Sequence, residues 1–173
     1  MINRRTNVFE TNSSSSHSIT ISDDNLVANK IPIVEDWDIC DGEPTMLVEL
    51  NGFCGWCDHE SQMEKLAYLI MQIAYILDLE YANGCYGSKE EIEEAREKLY
   101  ESEEFKELED AICEHAGCKH IRLYENTEGY IDHDSVCSNM WELKNWDIPY
   151  GGYFGYVILV YGADTYIHFE HNG

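Results

Sequence analysis

Residues 61–81 read Ser61-Gln62-Met63-Glu64-Lys65-Leu66-Ala67-Tyr68-Leu69-Ile70-Met71-Gln72-Ile73-Ala74-Tyr75-Ile76-Leu77-Asp78-Leu79-Glu80-Tyr81. Apolar side chains recur here at three- and four-residue steps, which predicts a helix. Met63, Leu66, Ala67, Leu69, Ile70, Ile73, Ala74, Ile76 and Leu77 cover more than one of its faces. A helix apolar over so much of its surface is expected to be buried against several elements. Asn83-Gly84 supplies its stop. The strongly apolar part, residues 66–77, is interrupted by Gln72 and is too short to span a bilayer.

Helical signals continue after this stretch. Ser88-Lys89-Glu90-Glu91 is a capping box, in which side chain and backbone donors satisfy each other at a helix start. It opens a second helix running to about Tyr100. Ser102 begins a third, whose body over 105–115 is stopped by Gly117. Strand signals flank the helices on both sides. Val8-Phe9 and Ile19-Thr20-Ile21 suggest strand pieces around a loop at 11–16. Residues 23–44 read mostly as loop, with Ile31-Pro32-Ile33-Val34 a short edge piece because Pro32 has no N–H to donate. Residues 45–50 form a strand, 119–124 another, and 126–129 a turn into a strand beginning at Tyr130-Ile131. Residues 138–146 read as a short helix or an irregular aromatic patch. Residues 153–161 read as a long strand that Gly162-Ala163-Asp164 turns into 165–170, a C-terminal hairpin. The expected class is α+β: an antiparallel sheet with three inserted helices and a structural zinc site. It forms one domain over 1–173, with the helical insertion at about 60–117.

The zinc expectation comes from two cysteine clusters. Phe53-Cys54-Gly55-Trp56-Cys57 is a C-x-x-C knuckle with Gly52 and Gly55 freeing the turn. Two thiolates at that spacing can face one cation. The second cluster is Cys113-Glu114-His115-Ala116-Gly117-Cys118-Lys119-His120. With Gly117 in the left-handed position after the helix, Cys113 and Cys118 take the two places that meet in a Schellman cap. His115 would then point away, because positions two apart on a helix do not share a face. Cys54, Cys57, Cys113 and Cys118 therefore complete a tetrahedral shell, with His59, His115 or His120 as possible replacements for one of them. The competing readings are plain buried cysteines and a redox or disulfide pair. Seven cysteines is an odd number, and in a reducing compartment they favour metal or free thiols over disulfides.

Charge narrows the partner class. Thirty-four acidic residues oppose 11 basic ones, a net charge of −23. Nucleic-acid binders carry the opposite sign, and an anionic membrane surface is equally disfavoured. Met1-Ile2-Asn3-Arg4-Arg5 leads into a polar stretch with no apolar signal region, so a soluble, intracellular protein is expected. Twelve carboxylates lie between Glu90 and Glu114, against Arg96, Lys98 and Lys106. Side chains three and four apart on a helix stand about 5–6 Å from each other. That is close to the spacing of phosphates along a strand, so Glu90, Glu91, Glu94, Glu97, Glu101 and Glu104 can present a row that imitates nucleic acid. The plain alternative is a solvated helix face. A macromolecular partner should be a basic protein.

Two other groups have chemical potential. Ser13-Ser14-Ser15-Ser16-His17 offers hydroxyl and backbone donors for a phosphate. With Ile131-Asp132-His133-Asp134-Ser135 it outlines a Ser/His/Asp site, in which His17, Asp132 and His133 would act on a nucleotide or protein substrate. Trp141, Trp146, Tyr150, Tyr153, Phe154 and Tyr156 are dense and read first as core and sheet packing. A partner-facing patch is the other use of such residues.

The phrase Phe9-Glu10-Thr11-Asn12-Ser13-Ser14-Ser15-Ser16-His17-Ser18 resembles one found near the start of uncharacterised proteins from phages and their Firmicute hosts. A small acidic phage protein with two cysteine clusters also resembles anti-CRISPR inhibitors of the type II RNA-guided nuclease, some of which are DNA mimics. That resemblance implies a zinc-binding, non-catalytic inhibitor in the cytoplasm of the bacterial host. It would bind a basic nuclease through its acidic helices and block DNA binding or loading. The alternative is a small phage enzyme using the Ser/His/Asp residues.

Overall fold

Ser61 starts the central helix by a reciprocal cap. Its side chain accepts from the Glu64 N–H at 3.2 Å while the Glu64 carboxylate accepts from the Ser61 N–H, also at 3.2 Å. The computed structural model describes residues 5–10, 15–20, 31, 33–35, 40–50, 58–59, 61–129, 152–162 and 166–171. In it α1 spans Gln62–Ile76, and every residue from Lys65 to Ala74 is buried. The helix is enclosed on all sides, as its apolar breadth requires. A short 3-10 turn, Glu80–Asn83, follows and ends at Gly84 with φ 82°.

The second and third helices also begin where the sequence places them. α2 spans Lys89–Glu101 behind the Ser88/Glu91 capping box, and α3 spans Glu103–Ala116. Ser102 serves both. Its hydroxyl donates to the Leu99 carbonyl at 2.7 Å and accepts from the Phe105 N–H at 3.2 Å. One side chain thus closes α2 and opens α3.

The strands form two sheets. β1 (Arg5–Glu10), β2 (Ser15–Thr20), β5 (Asp58–His59) and β7 (Tyr166–His171) make a four-stranded sheet in the order β1-β2-β7-β5, antiparallel throughout. β3 (Ile33–Glu35), β4 (Pro44–Val48) and β6 (His120–Leu123) make a three-stranded sheet in the order β3-β4-β6. Here β4 and β6 run parallel, with Thr45 opposite His120. The expectation of one antiparallel sheet is therefore corrected. The three inserted helices are the crossover between two parallel strands, and parallel neighbours require such a connection. β3 is an edge strand, as Pro32 suggested.

A second correction concerns residues 153–161. They are not a strand of a C-terminal hairpin but a helix, α4, Gly152–Tyr161. α4 packs on α3 and α1, and Tyr156, Val157, Leu159, Val160 and Tyr161 are buried. A continuous apolar run does not distinguish a buried helix from a buried strand, and aromatic and β-branched composition misleads when tertiary packing decides. β7 takes its partners elsewhere, from β2 and β5.

Arg96 ties the helical layer to the chain after β6. Its guanidinium donates to the carbonyls of Ala82, Tyr124, Glu125 and Thr127 at 3.0–3.1 Å, and the residue is buried. Thr127 in turn accepts from the Leu50 N–H at 2.6 Å. Gly84 and Gly129 form a parallel bridge in the same place, where a side chain at Gly84 would run into the Thr127 carbonyl and one at Gly129 into Leu50 and Met71.

Candidate functional site

Two features predicted from sequence fall within the described residues: the acidic helices and the cysteine cap of α3. The α2 face is set by its apolar stripe. Ala95, Arg96 and Leu99 turn inward, which leaves Glu90, Glu91, Glu94, Glu97 and Glu101 exposed, while Glu104 on α3 is half-buried. Some of these carboxylates have local duties. Glu91 accepts from the Ser88 N–H at 2.7 Å, and this bond holds its carboxyl below the usual range. Glu94 pairs with Lys98 at 2.6 Å, one turn on. Glu107 and Glu104 lie near enough to Tyr156 to raise its phenol, although burial is the larger cause, and together they push it up to about 12. Arg96 holds the face to the chain after β6, and Tyr100 holds it to the sheet, its hydroxyl accepting from the Leu123 N–H at 3.1 Å. Arg122 stacks 4.5 Å over the Tyr100 ring and pairs with Glu109 at 2.8 Å. Glu109 also accepts from the Ile121 N–H at 2.8 Å, so α3 is hydrogen-bonded directly to β6.

At the end of α3, Gly117 adopts φ 80° and its N–H donates to the Cys113 carbonyl at 2.8 Å. This is the five-to-one closure of a left-handed cap rather than the six-to-one bond that defines a Schellman motif. The expected result for the sulfurs still holds. Cys113 and Cys118 are both buried, and their Sγ atoms lie 2.8 Å apart. A hydrogen bond joins them. That bond, with burial second, pushes the Cys113 thiol far up, and the same bond draws Cys118 down. His115 is exposed and its ring lies 4.3 Å from that of Tyr161. Tyr161 is completely buried, with no hydrogen-bond partner for its hydroxyl among the described residues. Burial raises its phenol first, and Cys118 and Cys113 raise it further. His120 holds Nδ1 at 3.7 Å from Glu109, beyond hydrogen-bond range.

A tetrahedral zinc ion with bonds of about 2.3 Å separates two sulfurs by about 3.8 Å. Cys113 and Cys118 would spread by about 1 Å around it, a modest movement at a helix end. Among the described residues no group of three or more His, Cys, Asp or Glu side chains is placed to hold a metal. The pair by itself offers two of the four ligands that a tetrahedral zinc would need. Cys54 and Cys57, the other expected half, lie outside the described residues. His59 is in β5, opposite Ile167.

The runner-up Ser/His/Asp site is not brought together by the described part of the chain. His17 stands in β2 opposite Phe169, while Asp132 and His133 lie outside the described residues, as do Trp141 and Trp146. Sequence reasoning missed Arg96, which borders a cavity of about 280 Å³ with Lys89, Glu93, Glu125 and Thr127. Its signal was available: Arg96 shares the inward stripe of α2 with Ile92 and Leu99, and an arginine there needs carbonyl partners. No helix among the described residues is long and apolar enough to cross a membrane. No protein-family model, curated protein or solved structure matches the chain.

Proposed function

We propose that this chain is a non-catalytic, anti-CRISPR-type phage inhibitor that binds a basic nucleic-acid-binding protein through the acidic face of α2 and the start of α3. The observation that supports this reading is the exposed row Glu90, Glu94, Glu97 and Glu101 on a helix whose other face is fixed by Arg96, Leu99 and Tyr100. A row of carboxylates at helical spacing on a rigid support matches a positively charged channel better than a flexible acidic tail does. The net charge of −23 adds long-range attraction to the same class of partner. The target named by the resemblance is a type II CRISPR RNA-guided nuclease in the bacterial cytoplasm, and the inhibitor would exclude DNA from it.

A structural zinc ion belongs to this reading. Cys113 and Cys118 would hold it together with Cys54 and Cys57, tying the segment before α1 to the end of α3. The ion supplies four bonds that stabilise the fold, and no chemical step passes through it. Metal analysis of untagged protein from zinc-replete expression should find about one equivalent, as one closed four-ligand shell requires. No zinc would remove this part of the reading.

Binding kinetics against the nuclease, at several ionic strengths, test the whole. Steering by exposed charge acts mainly on the association rate. The screening length falls from about 10 Å at 0.1 M salt to about 3 Å at 1 M. Association should slow strongly over that range, dissociation should change little, and bound nucleic acid should compete. Replacing Glu90, Glu94 and Glu97 together by Lys should slow association by at least about tenfold. A salt-insensitive association rate with no competition by nucleic acid would overturn the mimicry.

A further inference from the structure

We propose that Cys113 and Cys118 are a reversible oxidation site, in which a peroxide converts the two thiols into a disulfide that locks the C-terminal cap of α3. This goes beyond the binding reading and stands without it, since it uses only the geometry of the pair. The sulfurs lie 2.8 Å apart, and a disulfide bond measures about 2.05 Å, so they need to approach by less than an ångström. The fold already holds them face to face. Gly117, left-handed at φ 80°, reverses the chain between them, and its N–H is bonded to the Cys113 carbonyl.

The surroundings select this pair. Both cysteines are at least nine-tenths buried, close to Tyr161. Gly117 is exposed, and nothing lies within 4 Å of where a side chain would stand on it, so the turn between the two buried cysteines faces solvent. Cys85, by contrast, donates its Sγ–H to the Gly129 carbonyl at 2.7 Å.

The chemistry balances with the peroxide as the oxidant. One thiolate attacks the O–O bond, which breaks; the sulfur becomes a sulfenic acid, and the departing hydroxide takes the thiol proton and leaves as water. The second sulfur then attacks the sulfenic sulfur. The S–S bond forms, the S–O bond breaks, and a second water leaves with the second thiol proton. The thiol pair gives up two electrons and the peroxide accepts them. A cellular thiol reverses the change by exchange. If the pair also serves as a zinc half-site, the disulfide withdraws both thiolates from the ion.

The test uses the full chain, as purified and after chelator treatment. Each sample is exposed to hydrogen peroxide, alkylated and digested with trypsin. Cleavage after Lys106 and Lys119 places both cysteines on one peptide, residues 107–119. We expect that peptide to lose the mass of two hydrogens and to carry no alkyl group, and a reducing agent to restore both alkylation sites. In the chelated sample, a peptide that stays doubly alkylated, or is cross-linked to Cys54 or Cys57 instead, overturns the proposal. Cys118→Ala should abolish the internal bridge, and a bridge-mass peptide persisting in that variant would likewise overturn it. Zinc is measured in the same samples. A protein without zinc that forms the bridge keeps this proposal and removes the metal reading. Release of zinc as the bridge forms supports both.

Discussion

α1 and α2 begin in the same way and end up in opposite environments. Each starts behind a serine whose side chain caps the third helical N–H, with a glutamate reaching back, Ser61/Glu64 and Ser88/Glu91. Beyond the cap they diverge. α1 buries ten consecutive residues, Lys65 and Gln72 among them; α2 buries Ala95, Arg96 and Leu99 and exposes most of its carboxylates. A cap therefore says where a helix starts, and the composition of the faces says whether it is core or surface. Stability should be concentrated in α1 and recognition in α2.

The largest test of that division is truncation in α1. Leu69→Ala, at a fully buried position, should cost about 2–5 kcal/mol by urea unfolding, while Glu97→Ala on α2 should stay within about 0.5 kcal/mol. Equal costs would break the comparison. Arg96 is the expected exception on α2. Removing it takes a donor from four carbonyls and strands the buried ones of Ala82 and Thr127, while the Tyr124 carbonyl keeps the Thr127 N–H; Arg96→Ala should cost about 3 kcal/mol, far more than any exposed glutamate on the helix.

The next effect is on the order of 2 kcal/mol and lies at high pH. Tyr156 on α4, buried against the acidic side of α3, has its phenol raised from 10.0 to about 12. The folded chain keeps that proton where the unfolded chain has lost it. This stabilisation is complete below pH 10 and disappears as the pH rises towards 12. Alkaline titrations of stability should show the decline, and Tyr156→Phe should reduce it; an unchanged decline would show that the buried Tyr156 phenol does not carry it.

The smallest effect is at the shared cap motif. Ser61→Ala and Ser88→Ala should each cost about 1 kcal/mol. The Ser88 box should also weaken in acid, because Glu91 has a lowered pKa. Its contribution is present above the ordinary carboxylate pKa and is lost as the pH falls through the lowered one. Helicity followed from neutral to acid pH should fall less steeply in Glu91→Gln, which has no carboxylate to protonate, than in the parent chain.

The same contrast explains what was readable in the sequence. Caps and face composition are local, so the starts of α1, α2 and α3 and the meeting of Cys113 with Cys118 follow from spacing and from Gly117; the stop of α1 does not, since the helix ends at Ile76 and Asn83-Gly84 closes only the short 3-10 turn after it. The edge position of β3 follows from Pro32, a single missing donor. What was missed is not local. Nothing within 153–161 reveals that α3 and α1 offer it a helix-shaped site, and nothing in β4 names a parallel partner on the far side of the insertion. Arg96 was readable in its place on the inward stripe with Ile92 and Leu99 but not in its partners, because its four carbonyls come from two separate turns. In the candidate site, the thiol pair was legible from helix-end geometry. The inward stripe that aims the carboxylates outward was legible only in part, since Arg96 looks like one more surface charge.

The parallel pairing of β4 with β6 also dictates an order of assembly. Leu50, just past the end of β4, donates to Thr127, 77 residues later. During synthesis β4 has no parallel neighbour until all three helices and β6 have emerged, so its open edge must wait for them. The helices need no such delay, because their caps and α1's apolar faces are contiguous in sequence. A ribosome-bound chain ending just before β6 should therefore already contain helical structure while β4 remains without its parallel partner. The first sheet closes later still, since β2 receives β7 only after the intervening chain is made. The exposed edge of a half-made sheet is where such a chain is most prone to pair with a neighbour on the same messenger, and the slow joining of β4 to β6 sets how long that hazard lasts.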